Sequence, residues 1–181
     1  TQSRSSAASD VYKRQVHAVL LPSSDPHLSE YLPGHWQGRE WASGFTGSMG
    51  TLVVTTDAAA LFADSRYWVQ AAAQLDGSTV ALEKISSGTS PAHADWLARA
   101  VPRGGVVCVD GSVIGLASAL ALRKTLDTAG VSLRTDIDLL TDVWDDRPAL
   151  PEAPVREHQL PHATQTRAER LLAVRAAMAA H

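Results

Sequence analysis

Gly44, Gly47 and Gly50 stand three residues apart in WASGFTGSMG (Trp41–Gly50), enclosing Phe45, Thr46 and Ser48. That spacing suits neither a helix nor a strand, and it lets the backbone turn tightly or approach another group closely. Two chemistries use loops of this kind. A phosphate cradle needs the loop to open a helix, whose unpaired N–H groups and dipole hold the anion. Here the loop feeds the β-branched run Thr51–Thr56, so a strand follows and the cradle is excluded. A serine nucleophile at a strand-to-helix elbow needs glycine two residues before it. Ser48 has Thr46 there and no helix after it.

Four other groups carry reactive side chains. Asp64-Ser65-Arg66-Tyr67 stands where a strand pattern gives way to a helix pattern; Asp64 or Ser65 suits a helix cap, Arg66 a local ion pair, and a subunit contact is the other reading of this corner. His158 and His162 are four apart, as in a helical metal pair, but Pro161 and the surrounding linker composition oppose that helix. Cys108, the single cysteine, lies in the apolar run Val106–Val109, where no helix N-terminus or cation lowers its pKa, so it reads as a small core hydrophobe in a reducing compartment. Of five tryptophans, Trp96 has core spacing on a helix, whereas Trp36 and Trp41 flank the glycine loop and suit a partner interface. No Asp, Glu and His cluster in the folded part has ligand spacing. The residues alone describe an α/β domain without a self-contained active site.

The elements that hold these groups follow from periodicity. Val16–Leu21 is a buried strand stopped by Pro22. Ser23–Pro33 allows one or two helical turns, capped by Ser24 or Asp25 and begun by Pro26. Gly34–Trp41 is loop or a short helix. Thr51–Thr56 and Ala59–Ala63 form a tight hairpin, although Asp57-Ala58 lacks the usual turn glycine. Tyr67, Gln70, Ala71 and Leu75 share a helix stripe ended by Asp76-Gly77; Thr79–Ile85 alternates as a strand; a helix follows Ser90-Pro91 and stops at Pro102. Val106–Val109 is a buried strand, Ser112 caps a helix over Ile114–Thr128, and Val131–Ile137 is the last strand. This alternation predicts an α/β domain with a mixed sheet, antiparallel at the hairpin and parallel at the crossovers.

The chain has 181 residues, 45% hydrophobic and 19% charged, with a formal net charge of −3. That is an ordinary soluble globular composition. No basic run marks a nucleic-acid footprint, and no stretch approaches the ~20 apolar residues of a membrane span. Thr1–Gln15 is polar and aperiodic and reads as a disordered or artefactual tail. Its Arg4, Lys13 and Arg14 outweigh Asp10, which leaves the remainder more acidic. Residues 16–147 form the domain, and the proline-rich, charged stretch 148–163 is a linker. Thr166 and Glu169 have capping-box spacing before a helix whose Leu171, Val174 and Met178 share one face. That helix, within residues 164–181, is expected to open a second domain.

DPHLSEYLP (Asp25–Pro33), WASGFTGSMGTLVVT (Trp41–Thr55), LFADSRYWVQA (Leu61–Ala71) and DVWDDRP (Asp142–Pro148), in this order, resemble the N-terminal domain of the Xaa-Pro aminopeptidases, the aminopeptidase P family, in its long three-domain cytosolic form. The family corner is usually Asp-Gly-Arg-Tyr, and Ser65 stands in the glycine's place. The resemblance implies a creatinase-type fold, a mixed sheet flanked by helices with ribonuclease H-like topology. It implies a cytoplasmic hydrolase that removes the residue preceding proline from peptides with proline second. Two divalent metals, commonly manganese, would be held by two Asp, two Glu and one His of a C-terminal domain outside this chain, which by itself would be inactive and hold no cofactor. The implied roles of the present domain are homodimer contact and control of access to a neighbouring active site, through a loop corresponding to Gly44, Phe45, Thr46, Gly47, Ser48 and Gly50. On that reading Gly47→Val harms cleavage more than folding. The competing readings are a free-standing interaction module without peptidase activity, and a domain of a related creatinase or prolidase.

Overall fold

The computed structural model describes residues 15–159 and 161–180. Apart from Gln15, the tail expected at the N-terminus lies outside the described residues. The chain divides into two units that meet between Leu150 and Pro151.

The first unit is built on a six-stranded sheet in the order β4-β3-β2-β1-β5-β6. The strands are β1 (Ala18–Pro22), β2 (Thr51–Thr55), β3 (Ala59–Ala63), β4 (Val80–Lys84), β5 (Val106–Cys108) and β6 (Ser132–Arg134). β2 pairs antiparallel with both β1 and β3, while β3–β4, β1–β5 and β5–β6 are parallel. The mixed sheet predicted from the sequence is therefore present. The hairpin closes without a turn glycine because Thr55 Oγ1 accepts hydrogen bonds from the amides of Asp57 (3.3 Å) and Ala58 (3.0 Å). A threonine hydroxyl here does the work of a flexible backbone.

Among the described residues the helices are α1 (Gly38–Ser43), α2 (Trp68–Gln74), α3 (Ala92–Ala100), α4 (Leu116–Thr128) and, in the second unit, α5 (Arg167–Ala179). Strand alternation sends side chains to two different cores. Leu20, Val53, Phe62 and Val107 pack under Leu97 of α3 and Leu122 and Leu126 of α4. Leu52, Leu61 and Ala63 point the other way, under Ala71 and Leu75, and Phe45 joins them. A residue of the glycine loop is thus part of the second core.

Three expectations are corrected. Ser23–Pro33 forms turns instead of helix: the Asp25 carboxylate, buried, accepts from the amides of His27 and Ser29 at 2.9 Å each. This side-chain-centred turn takes Leu28 to φ +54°, which no helix admits. Ser112 does not cap α4; it lies in a 3₁₀ turn over Gly111–Val113, where the Asp110 carboxylate accepts from its amide at 2.9 Å, and α4 begins after Gly115. The last strand is also shorter than Val131–Ile137, since its pairing with β5 ends at Arg134. Residues 34–41, for which the sequence allows loop or a short helix, form a 3₁₀ turn over Gly34–Trp36 followed by the start of α1.

In the second unit Thr166 caps α5 with a full capping box: its hydroxyl accepts from the Glu169 amide (3.2 Å), and its amide donates to the Glu169 carboxylate (2.7 Å). Leu171, Leu172, Val174 and Met178 of this helix are exposed.

Candidate functional site: the glycine loop and its corner

The three glycines of the loop meet three different demands. Gly44 ends α1 in the left-handed region at φ +71°, which glycine adopts without strain. Gly47 has no such torsion; a Cβ there would overlap the Phe45 ring and lie 2.8 Å from Tyr67 Cδ1. Gly50 is held by close approach, with a Cβ meeting the Phe62 carbonyl at 3.3 Å. The loop is wrapped around Phe45, which is fully buried and meets the Tyr67 ring edge-on at 5.9 Å.

Thr46 and Ser48 point the other way and are exposed. The Thr46 hydroxyl accepts from Gln70 Nε2 (3.0 Å) and Gln74 Nε2 (2.9 Å), and its amide donates to Gln74 Oε1 (3.1 Å). Ser48 Oγ lies 2.6 Å from the Tyr67 hydroxyl. The tip is thereby fastened to α2 and to the corner that begins it.

At that corner Asp64 is buried and Arg66 is not. The Asp64 carboxylate receives Arg66 Nε at 3.0 Å, Nη2 at 2.8 Å and the Arg66 amide at 3.1 Å. The guanidinium fork holds the Asp64 carboxyl below its ordinary range despite the opposing effect of burial. Ser65 sits in this corner without backbone strain, for Leu28 is the one non-glycine residue with positive φ among the described residues.

Trp36 and Trp41 find partners inside the first unit. Trp41 stacks on Trp144 with centroids 5.1 Å apart, and the Arg147 guanidinium lies over Trp36 and Trp144 at 5.5 and 5.8 Å. Arg147 also binds the His35 carbonyl (2.9 Å) and the Asp138 carboxylate. This clasp uses the DVWDDRP stretch to close the sheet end beside α1. One face of Trp41 stays open, with 42% of the residue exposed.

Arg39 was not singled out by its sequence. It is 5% exposed, and it donates to the carbonyls of Phe45 (2.7 Å) and Gly47 (2.5 Å) from beneath the loop. Carbonyl acceptors leave no mark in a sequence, so the one available hint was a large apolar residue, Phe45, set between glycines. Between Arg39, Ser48 and the 3₁₀ turn lies a cleft of about 170 Å³, also lined by Ser23, Tyr31 and Trp36.

Among the described residues no three His, Cys, Asp or Glu side chains gather so as to hold a metal ion. The described residues thus offer no donor set for a divalent metal pair. His158 and His162 lie in the second unit with rings 5.8 Å apart, edge to face, and no helix joins them. Cys108 is buried, and burial pushes its thiol pKa up, which removes nucleophilic character. No described helix is long and apolar enough to cross a membrane.

The Creatinase/Prolidase N-terminal domain family matches residues 11–141. The chain belongs to that family. This creatinase-type domain is 38% identical over 165 residues to a protein of Talaromyces marneffei named probable Xaa-Pro aminopeptidase P, covering 90% of this chain and 25% of the relative. It is 32% identical to human Xaa-Pro aminopeptidase 2, over the whole of this chain and 27% of the relative. Its fold superposes with a TM-score of 0.78, at 32% identity, on X-prolyl aminopeptidase from Caenorhabditis elegans, described as a cytosolic enzyme with a di-nuclear active site; the match covers 91% of this chain and 27% of that one. The creatinase-type chain thus spans about a quarter of the length of these relatives.

Proposed function

We propose that this chain is the non-catalytic N-terminal domain of a cytoplasmic Xaa-Pro aminopeptidase, working with a catalytic domain elsewhere in a longer, homodimeric protein. The observation that carries the reading is the likeness to the C. elegans enzyme, in fold and at 32% identity, over a quarter of that enzyme's length. The two divalent metals, manganese on this reading, and the hydrolytic chemistry belong to the longer protein. Residues 16–147 are the domain, 148–163 the linker, and α5 the first element of a second domain whose remainder covers Leu171, Val174 and Met178.

Within this reading the loop of Gly44, Phe45, Thr46, Gly47, Ser48 and Gly50 forms a wall of the catalytic cleft, with Asp64, Arg66 and Tyr67 as its structural support. A peptide N-terminus must be selected from among longer or misplaced chains, and a stiff wall does that by steric exclusion. The open face of Trp41, beside Trp36, contributes to the subunit contact.

Kinetics of Thr46→Tyr in the longer protein test the loop role. The expected result is a fall in kcat/KM of about tenfold on peptides with proline second, or ~1.4 kcal/mol of transition-state stabilisation, with a secondary structure spectrum like the parent's. An unchanged kcat/KM overturns the loop role.

A further inference from the structure

A buried arginine normally faces a carboxylate, because an unpaired charge costs several kcal/mol to remove from water. Arg39 has no salt-bridge partner among the described residues. Its Nε is buried with no hydrogen-bond partner among the described residues. The guanidinium instead sits 4.9 Å from the Phe45 ring centroid and holds two carbonyls, those of Phe45 and Gly47, on either side of Thr46. An apolar side chain of like volume would fill the same space without that cost. The arrangement is therefore poor as stability and specific as geometry: it fixes both peptide units that flank the exposed loop tip.

We infer that Arg39 is a positioning residue for the loop: an internal strut that locks the Phe45 and Gly47 carbonyls inward and so presents Thr46 and Ser48 outward in one conformation. The tip is then held from three directions, by Arg39 beneath, by Gln70 and Gln74 beside, and by Tyr67 at Ser48. The catalytic consequence, though not the strut itself, rests on the reading of the loop as a cleft wall.

Two variants separate a strut from a packing residue. Arg39→Met keeps length and apolar contact but removes both bonds; Arg39→Lys keeps the charge but replaces the two-nitrogen fork with a single donor nitrogen. Hydrogen exchange of amides 44–50 is measured in the 181-residue chain, with thermal unfolding alongside, and kcat and KM are measured in the longer protein. The strut predicts that exchange over 44–50 quickens at least tenfold in Arg39→Met and less in Arg39→Lys, while exchange in β1, β2 and α4 stays at parental rates. It also predicts KM rising more than kcat falls, with partial recovery in Arg39→Lys. Exchange that quickens everywhere alike, or nowhere, overturns the inference. Exchange confined to the loop with unchanged kinetics leaves the strut standing and removes the cleft-wall reading. If Arg39→Met does not fold, Arg39→Lys alone decides: parental exchange at 44–50 overturns the inference.

Discussion

The Ser48 hydroxyl lies 2.6 Å from that of Tyr67, so the glycine loop and the Asp64–Tyr67 corner, separated by β2 and β3, form one unit. Corner and loop share a core as well, through the edge-on contact of Phe45 with Tyr67. A double-mutant cycle on Ser48→Ala and Tyr67→Phe measures that link. The expected coupling is about 0.5–1.5 kcal/mol, read from urea unfolding of the four proteins. Additive effects would show that the two hydroxyls do not meet in solution.

Gly47→Ala is expected to destabilise the domain by roughly 1–3 kcal/mol, because the added methyl must displace Phe45 or Tyr67 from a filled core. The structure thereby alters what Gly47→Val can reveal. From the sequence that variant is expected to harm cleavage more than folding, but a side chain at residue 47 strikes Phe45 and Tyr67 in the core before it reaches any cleft. Thermal unfolding of Gly47→Ala checks this, and a parental midpoint would contradict it.

Acid should weaken the fold in two stages. His93 is held below its ordinary value of 6.5 by burial, with its ring against Phe62. Its unfolded form binds the proton more readily, so stability falls as pH drops below about 6.5. Asp25 and Asp64 are held below 3.8 chiefly by the Ser29 amide and the Arg66 guanidinium respectively. Their contribution is present above the unfolded value and is lost as pH falls below about 4 through the folded one. Urea midpoints from pH 7 to pH 3 should show both stages, with His93→Gln removing the first and Asp64→Asn reducing the second. Unchanged pH profiles in the variants would contradict the assignment.

What could be read in the sequence was what local pattern encodes. The hairpin, the alternation of strand and helix, and the Thr166–Glu169 capping box each depend on residues a few positions apart, and each is present. Ser24 or Asp25 suits a helix cap by residue type, but the Asp25 carboxylate closes a turn that carries Leu28 to positive φ, a torsional choice that composition does not disclose. The stacking of Trp41 on Trp144 joins positions about a hundred residues apart and emerges only when the sheet is folded. Arg39 was hidden for another reason: its partners are carbonyls, which every residue has. The loop was visible as glycines, yet the core residue inside it, Phe45, and the cation beneath it decide its shape.

On the proposed function, this domain shapes an active site whose chemistry lies elsewhere in a longer protein. Its most direct test is to incubate the purified 181-residue chain with an Arg-Pro-Pro peptide and Mn²⁺, beside the longer protein under identical conditions, and to follow release of free arginine. The expected result is release by the longer protein and none by the 181-residue chain. Release by the chain alone would contradict it.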